Sequence, residues 1–481
     1  MTQTAMENSA TGSTNADGSL QELVETTPNL VSYFRHQTVS PHGRDAGTSN
    51  PVPFEVSNWI AEQEAWRNNA VLFDQSHHMP ELFLRGPDAL ELLKKIGINR
   101  FTGFKPGMAK QLVGCAPSGH VIGDCILYYL EDDTFELVSG MTLLDWVEYL
   151  AESGSFDVSL RRDNATPNNP DGRTRFRFGV DGPAAWQVFR EAVDGDAPDI
   201  PFFRAVEVTV AGCKVLALRH GMAGHKGVEL SGDFAEGETV RARLLKVGAE
   251  HGLHAGGRLA YFSSSLESGW IPYPLPAIYT HPEMRGFREW LKAKSWEGST
   301  HIAGSFDSDD IEDYYATVWD LGYERLVDDE RDFVGSREIR RMATGAPRRK
   351  VSFEWDDEDV ARIYRSLFSS DVRYKQLSLP LVSYGFPQCD RVETPEGELV
   401  GLSSYAGYSR NEGKVISLGS VDREFAEPGT KLRLIWGEPD GGRGKKRVEQ
   451  HIQTSINVIV APGTYSAQVR SLKRASLRKS A

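Results

Sequence analysis

The segment 218–230 combines regularly spaced glycines with a single carboxylate. Gly221, Gly224 and Gly227 recur at every third residue, and Glu229 follows in a short Val-Glu-Leu run that predicts a strand. This spacing leaves no apolar helical stripe, and glycine lets the backbone take a positive φ or approach a flat ligand closely. A carboxylate that faces inward from a strand needs a partner with adjacent N–H donors. The pattern favours a site for a flat heterocycle with an amino-substituted edge; the alternative is a surface hairpin with a solvated Glu229.

Helices and strands in mixed order must position this segment. A helix is predicted at 88–96, after Pro87 and before Gly97, and similar patterns occur at 182–190 and 238–247. Strands are predicted from apolar or alternating runs at 81–85, 125–130, 134–138 and 205–210. Because these elements lack the steady alternation of strand and helix that builds a doubly wound sheet, the sequence indicates an α+β architecture.

The sequence pattern changes after about residue 350. Short alternating segments separated by turn residues predict an antiparallel barrel or sandwich, and a glycine, a proline and three basic residues at 344–350 are typical of a linker. The predicted strands are 351–355, 398–402, 414–418 and 431–436. We therefore expect a disordered N-terminus at 1–18, an α+β region at 19–346 and a C-terminal β-barrel domain at 347–481.

Composition excludes several classes of protein. A net charge of -13 over 481 residues argues against nucleic acid as a partner. No apolar run approaches the roughly 18 residues of a membrane-spanning helix, and the polar N-terminus is not a signal peptide, so we expect no membrane association and a cytoplasmic location. The four cysteines, which lack C-x-x-C spacing, predict buried thiols in a reducing compartment: Cys115, Cys125, Cys213 and Cys389.

Two longer motifs and many short ones carry a family resemblance. The longer motifs are Leu-Arg-His-Gly-Met-Ala-Gly at 218–224 and Leu-Glu-Ser-Gly-Trp-Ile-Pro at 266–272. The short ones lie at 57–59, 62–63, 65–68, 71–75, 77–79, 119–124, 274–280, 311–315 and 407–409. Together they resemble the tetrahydrofolate-dependent aromatic O-demethylases and sesamin methylene transferases, a group of the T-protein (aminomethyltransferase) family. The resemblance implies a T-protein-like folate-binding multidomain fold, folate and substrate sites within 19–346, and one-carbon transfer onto N5 of tetrahydrofolate.

The resemblance also assigns roles to single residues. Glu229 would bind the amino-pyrimidine edge of the pterin. Tyr261 stands where T-proteins carry arginine and the O-demethylases carry tyrosine, and it would be catalytic. An aryl ether releases an aryloxide, so a donor that protonates the ether oxygen lowers the barrier, and a phenol of pKa about 10 matches that leaving group. A tyrosine packed under a helix is the alternative.

Two further residues would act on the folate. Asp124 follows Gly123 where T-proteins have paired aspartates beside the reacting nitrogen, so one carboxylate remains as a catalytic group or folate anchor. Trp270 resembles the aromatic residue that packs on the folate. The alternatives are a solvated or turn-capping aspartate and a core tryptophan.

The aromatic substrate would contact Gln75, His77 and His78. A histidine pair without carboxylates at ligand spacing is weak evidence for a metal, and the family needs none, so we expect no metal site. Hydrogen bonding to a phenol or ether oxygen is the favoured role, and one of the two histidines is expected to be structural.

The substrate pocket departs from the family pattern. Vanillate-type enzymes carry an arginine for the benzoate carboxylate where this chain has Gly-Met-Thr-Leu-Leu at 140–144, and the tyrosine-bearing segment before 57–59 is altered at 49–54. The loss of a cation favours a neutral aromatic ether, such as a methylenedioxy lignan like sesamin or a methoxyarene.

Three functions therefore remain open at this point. The first is transfer of a methyl or methylene group from a neutral aromatic ether to N5 of tetrahydrofolate. The second, of a different class, is a folate-binding T-protein homologue that has lost catalysis and serves a regulatory role. The third is a vanillate-like benzoate O-demethylase.

Overall fold

The structure of the protein, a computed structural model, describes residues 18–36, 51–222, 227–345, 347–371, 373–382, 384–446 and 448–472. The predicted disordered segment 1–18 lies, apart from Gly18, outside these residues. The α-helices are α1 (Leu20–Thr26), α2 (Leu30–Arg35), α3 (Trp59–Asn68), α4 (Ala89–Ile96), α5 (Met141–Ser153), α6 (Ala185–Ala192), α7 (Gly237–Gly248), α8 (Arg258–Ser263), α9 (Ser265–Ser268), α10 (Arg285–Trp290), α11 (Ser336–Ala343) and α12 (Asp357–Ser366). Predicted helices α4, α6 and α7 are confirmed, with ends shifted by one to three residues.

A five-stranded antiparallel sheet forms the first layer. Its strands are β2 (Glu81–Arg85), β3 (Ala109–Cys115), β4 (Val121–Glu131), β5 (Thr134–Ser139) and β6 (Ser159–Asp163), in the order β3-β4-β5-β2-β6. Leu82 and Leu84 lie on the same face of β2 and are fully buried, whereas Phe83 between them is half-buried. Helices α4 and α5 pack against this layer.

A six-stranded sheet holds the glycine-rich segment. Its strands are β1 (Ala70–Asp74), β7 (Arg175–Asp181), β8 (Ala205–Val210), β9 (Cys213–Leu218), β10 (Val228–Asp233) and β11 (Leu253–Gly256), in the order β11-β1-β7-β10-β9-β8. Helices α6 and α7 cover one face and bury an apolar core that includes Val188 and Leu244. In β10, Glu229 pairs with Gly179 of β7 and Leu218 of β9.

A closed barrel follows. Its strands are β12 (Arg349–Trp355), β13 (Asp390–Glu393), β14 (Leu399–Ser409), β15 (Lys414–Val421), β16 (Lys431–Trp436) and β17 (Thr454–Pro462), in the order β12-β15-β14-β13-β16-β17. The sequence pattern allowed either a barrel or a sandwich, and the closed ring of strands makes this domain a barrel. Strand β13, which has only four residues, and strand β17 were not predicted.

Three smaller findings complete the fold. The four cysteines are buried and unpaired, as predicted. None of the helices in the described ranges is long and apolar enough to cross a membrane. Across the same ranges, histidine, cysteine, aspartate and glutamate side chains form no group of three or more that could hold a metal ion.

Candidate active site

A cavity of about 1980 Å³ is lined by residues of both sheets and of the barrel. Small-molecule sites usually measure about 300–1,000 Å³, so this cavity has room for two ligands at once. Of the residues predicted to form the site, five line the cavity: His77, His78, Asp124, Tyr261 and Trp270. Gln75 and Glu229 lie behind its surface.

Helix α8 carries Tyr261 into the cavity wall. The N–H of Gly257, which precedes the helix, donates to the buried Glu62 carboxylate at 2.8 Å. The next two backbone N–H groups donate to carbonyls of the segment 53–54 at 3.0 Å. A Cβ at Gly257 would lie 2.4 Å from the Phe54 carbonyl oxygen, so only glycine allows this approach. These contacts fix the position of α8.

The Tyr261 ring is enclosed on its sides. It is 7% exposed and packs edge-on against Phe73, with ring centroids 5.3 Å apart, and against His78, at 4.8 Å. Burial, and to a smaller extent the neighbouring Tyr273, raises the pKa of Tyr261 well above its usual value. The phenol therefore keeps its proton at neutral pH and lines a space where a ligand can receive it.

Asp124 lies in β4 and accepts hydrogen bonds from side chains of other segments. Its Oδ2 accepts hydrogen bonds from Gln111 Nε2 at 2.8 Å and from Trp270 Nε1 at 3.2 Å. The Tyr323 hydroxyl lies 3.4 Å from Gln111 Nε2 and also bonds the carboxylate. Burial raises the pKa of Asp124, and these hydrogen bonds oppose the rise without cancelling it. Asp124 can therefore exchange a proton closer to neutral pH than an ordinary aspartate.

This arrangement joins residues that the sequence treated separately. The bond between Trp270 and Asp124 fixes the indole ring at the cavity wall. Sequence reasoning missed Gln111 and Tyr323. Gln111 could have been found from the β3–β4 register, since it is a diagonal neighbour of Asp124 on one face. No local pattern indicates Tyr323, which arrives from a distant segment.

Glu229 already has partners within the protein. Its Oε1 accepts hydrogen bonds from Tyr128 Oη at 2.5 Å and from Arg177 Nη1 at 2.6 Å. Burial acts to raise the pKa of Glu229, but Arg177 and His220 outweigh it, so the pKa is lowered and the carboxylate is ionised. The expected solvated hairpin is therefore wrong, since Glu229 is 5% exposed. Both hydrogen bonds use Oε1, and Oε2 takes part in neither.

The backbone near Glu229 forms part of the cavity wall. His220 and Gly227 line the cavity near this residue. A Cβ at Gly227 would lie 2.3 Å from Asp181 Oδ1 and 2.5 Å from the His220 carbonyl oxygen, so glycine serves close packing here. The third predicted glycine, Gly224, lies outside the described residues. An ionised carboxylate behind a glycine wall and a fixed indole suit the amino-pyrimidine edge and the flat face of a pterin.

His77 and His78 differ in their polar contacts. His77 Nδ1 lies 2.9 Å from Thr166 Oγ1, and its Nε2 lies 3.9 Å from Asp74 Oδ2, so both nitrogens have polar neighbours. Both ring nitrogens of His78 are buried and have no hydrogen-bond partner within the described ranges. Burial lowers the pKa of His78 to about 3, which keeps the imidazole neutral. His78 therefore offers an unused donor and acceptor beside Tyr261.

Gln75 does not reach the cavity. Its side chain is 1% exposed and lies against β7, where a Cβ at Gly179 would be 3.0 Å from Gln75 Nε2. Its backbone N–H donates to the Arg177 carbonyl at 2.9 Å. Direct contact with substrate was expected from the resemblance, and the structure places Gln75 one layer below that surface.

The wall at 139–143 carries no cation. Strand β5 ends at Ser139, and α5 begins directly after Gly140, so Met141 and Leu143 face the cavity. The nearby Arg162 is engaged by Asp145 at 3.0 Å and by an adjacent glutamate. Helix α5 was not predicted from the sequence, in which 140–144 was interpreted only as part of the substrate pocket. Cations line other parts of the cavity: Arg219, Arg258, Arg325, Arg348, Arg349, Lys350 and Arg423.

Comparisons with known proteins identify relatives of this chain. The GCVT N-terminal domain family matches residues 37–275. The chain is 41% identical over 454 residues to syringate O-demethylase of Sphingobium sp., covering 94% of this chain and 97% of that protein. It is 29% identical over 416 residues to sesamin methylene transferase of Sinomonas sp., covering 82% and 88%. The crystal structure of glycine cleavage system aminomethyltransferase T from Bartonella henselae matches with a TM-score of 0.59 and 17% identity, covering 87% and 92%.

The fold is that of the T-protein class, and the α+β fold with its C-terminal barrel is confirmed. The chain belongs to the T-protein family, in the group of tetrahydrofolate-dependent O-demethylases and methylene transferases. It is a one-carbon transferase whose cofactor is tetrahydrofolate.

Proposed function

We propose that the protein moves a methyl group from a methoxylated phenol to N5 of tetrahydrofolate, with Tyr261 as the proton donor. One observation carries this proposal. The wall of a single cavity includes both the buried, protonated phenol of Tyr261 and the hydrogen-bonded pair Asp124 and Trp270. Bound tetrahydrofolate supplies the nucleophilic nitrogen. The size of the cavity supports simultaneous binding of cofactor and ether.

Different residues of the chain bind the cofactor and donate the proton. Glu229 and Trp270 hold the cofactor, and Asp124 anchors it near the reacting nitrogen. As the bond between the carbon and the ether oxygen breaks, that oxygen takes the Tyr261 proton, the carbon bonds to N5, and the N5 proton leaves. Tyr261 later regains a proton from solvent. General acid catalysis of this kind contributes typically about 10²–10⁴ in rate.

Replacement of the phenol tests this role. In Tyr261→Phe we expect near-normal tetrahydrofolate affinity and turnover lowered by about 10²-fold or more. Tyr405→Phe is the matched control, because Tyr405 also lines the cavity but donates its hydroxyl proton to the Phe262 carbonyl at 2.8 Å. That control should lose stability while its turnover changes little. Equal turnover in Tyr261→Phe and the unmodified protein would remove Tyr261 from the mechanism.

The substrate class follows from His78. A neutral imidazole with both nitrogens unused, in contact with the Tyr261 ring, suits a ring hydroxyl next to the reacting ether. The 41% identity to syringate O-demethylase supports a methoxylated monocyclic ring, whereas the 29% identity to sesamin methylene transferase gives weaker support to a methylenedioxy lignan.

The ring substituent of the substrate can be either neutral or a carboxylate. The cation-free wall at Met141 and Leu143 favours a neutral ether, because an unpaired buried carboxylate costs several kcal/mol. An aromatic acid is favoured by the syringate O-demethylase relative and by Arg219, which lines the same cavity and stacks on Trp186 at 3.9 Å. We propose the neutral ring as the better substrate.

Syringate and its methyl ester test this question, because they share the ring and its ether groups and differ at the carboxyl group, which is charged only in the acid. We expect a higher kcat/KM for the ester with tetrahydrofolate present. If the acid is turned over faster, the aromatic-acid alternative replaces our proposal. Mass spectrometry of the folate product then separates methyl from methylene transfer when sesamin is offered. A protein that binds tetrahydrofolate but dealkylates none of these ethers would instead fit the regulatory alternative.

A further inference from the structure

Strand β4 carries a second polar side chain on the face that holds Asp124. Residues 124, 126 and 128 share this face, and the first two of them line the cavity. Tyr128 is 1% exposed and lies four residues beyond Asp124. At roughly 3.3 Å per residue, this spacing is about 13 Å. The Tyr128 hydroxyl donates to Glu229 Oε1 at 2.5 Å. One strand therefore reaches both ends of the proposed pterin site.

Arg177 holds the same carboxylate from strand β7. A guanidinium has five N–H donors, and here five hydrogen bonds use them. Nε and Nη2 donate to Glu81 Oε1 at 3.0 and 2.9 Å, and Nη2 also donates to Glu136 Oε1 at 2.5 Å. Nη1 donates to Tyr128 Oη at 2.9 Å and to Glu229 Oε1 at 2.6 Å. Because its donors are already engaged, Arg177 acts on its neighbours and not directly on a ligand.

Of the three carboxylates that share this guanidinium, Glu229 is the one that reaches open space. Its side chain is 6% exposed, whereas those of Glu81 and Glu136 are 0% exposed. The second oxygens of Glu81 and Glu136 are buried without a partner in the described part of the chain, and Oε2 of Glu229 is not among such atoms. Since both donors to Glu229 use Oε1, its Oε2 is left for the cavity that His220 lines.

Tyr128 acts as a donor and does not line the cavity. Burial, and next the charge of Glu229, raises the pKa of Tyr128 well above its usual value, so the phenol keeps its proton. Its hydroxyl is directed at a carboxylate that is ionised because Arg177 and His220 lower the pKa of Glu229 against the effect of burial. Any effect of this tyrosine on a ligand must therefore pass through Glu229.

We propose that Tyr128 and Arg177 are positioning residues of the cofactor site. They hold Oε1 of Glu229 from two strands and turn Oε2 toward the cavity, where it accepts an N–H of the amino-pyrimidine edge. A carboxylate free to rotate would have to be ordered when the cofactor binds, and that ordering lowers affinity. This inference rests on the proposed role of Glu229 in cofactor binding and is independent of the identity of the aryl ether.

A double-mutant cycle tests the inference. Tetrahydrofolate is titrated, without any ether, into the unmodified protein, Tyr128→Phe, Glu229→Ala and the double variant. We expect Tyr128→Phe to bind about fivefold more weakly, because the carboxylate loses a charge-assisted donor. In the Glu229→Ala background the same substitution should change the dissociation constant by less than about twofold, because a residue that acts through Glu229 has no effect once that side chain is gone.

Tyr129→Phe is the matched control. Tyr129 is the next residue of β4, and its ring packs against Phe135 on the opposite face, so this variant should keep the affinity of the unmodified protein. Arg177→Lys provides a second cycle that does not depend on the folding of Tyr128→Phe. It keeps the positive charge but loses the planar fork, so it should weaken binding only while Glu229 is present.

The possible outcomes separate the inference from the proposed function. Equal losses of affinity in the two backgrounds would show that Tyr128 only supports the fold. Unchanged affinity in both Tyr128→Phe and Arg177→Lys, or an equal loss in Tyr129→Phe, would also overturn the inference while leaving Glu229 as a cofactor residue. Wild-type affinity in Glu229→Ala would contradict the proposed role of Glu229 itself, and the inference with it.

Discussion

Two clusters of buried charge, one beside the cavity and one in the barrel, have opposite compositions. Beside the cavity, Arg177 donates to Glu81 at 2.9 Å, to Glu136 at 2.5 Å and to Glu229 at 2.6 Å. Tyr128 adds a donor to Glu229. Arg173 also approaches Glu81, at 3.7 Å, so three carboxylates face two cations. We call this set the Arg177 cluster.

The barrel contains the reverse arrangement. Glu438 accepts from Lys375 Nζ at 2.8 Å and from the Gly304 N–H at 3.1 Å through Oε1, and from Arg35 at 3.2 Å through Oε2. Lys445 approaches the same carboxylate at 3.5 Å. One carboxylate faces three cations, and both of its oxygens are bonded. We call this set the Glu438 cluster.

The two clusters differ in whether all of their carboxylate oxygens accept hydrogen bonds. In the Arg177 cluster the buried second oxygens of Glu81 and Glu136 have no partner among the described residues. In the Glu438 cluster both carboxylate oxygens are satisfied. Satisfied buried networks fix a structure, whereas incomplete ones are found where ligands bind. We therefore expect the Glu438 cluster to control stability and the Arg177 cluster to control cofactor binding.

Removal of the barrel carboxylate should have the largest effect. Glu438→Gln leaves Lys375 and Lys445 buried without their counter-ion and leaves Arg35 only its pairing with Asp307 at 3.6 Å, so we expect the free energy of unfolding to fall by about 3–5 kcal/mol. Denaturant unfolding measures the loss. Glu358→Gln, at an exposed position of α12, is the control and should change stability by less than about 0.5 kcal/mol. A tetrahydrofolate affinity that falls in Glu438→Gln under native conditions would contradict the division between the clusters.

The corresponding change beside the cavity should weaken binding more than folding. Glu229→Gln replaces a charge-assisted acceptor by a neutral amide, so we expect tetrahydrofolate to bind about tenfold more weakly or worse. Titration of the folded variant measures this, with Glu438→Gln as the comparison. Wild-type affinity in Glu229→Gln would refute the assignment of Glu229 to the cofactor.

The smallest expected effect is a difference in pH dependence. Burial raises the pKa of Glu81 to about 7, so its contribution to stability is present below about pH 4.5 and is lost as the pH rises through 7. Burial opposes ionisation of Glu438 too, but Lys375 and Lys445 lower its pKa to about 2, so its contribution is present above about pH 4.5 and is lost as the pH falls towards 2.

The free energy of unfolding, measured at several pH values, distinguishes the opposite pH dependences of Glu81 and Glu438. Relative to the unmodified protein, Glu81→Gln should reduce the loss of stability between pH 5 and 8, by on the order of 1 kcal/mol. Glu438→Gln should reduce the loss between pH 4.5 and 3. Parallel curves for a variant and the unmodified protein would show that the replaced group does not titrate differently in the folded state.

Local pattern was sufficient to predict a part of the elements. Strands β2, β8 and β16 have the predicted bounds, and α4 ends just before Gly97, as its sequence indicates. These elements are encoded by side-chain periodicity and turn residues within one short segment. Helix α5 was not predicted, because its first residues were interpreted only as an apolar part of the substrate pocket.

The sequence by itself determined the family, because its motifs extend over most of the chain, and it predicts Tyr261 as the proton donor. Tertiary structure alone decided which polar groups meet. Tyr323 reaches Asp124, Arg177 meets Glu229, and Gln75 falls behind the wall that His78 lines. A hydrogen bond needs two atoms within about 3 Å. That proximity depends on sheet register and on contacts between distant segments, which no local pattern specifies.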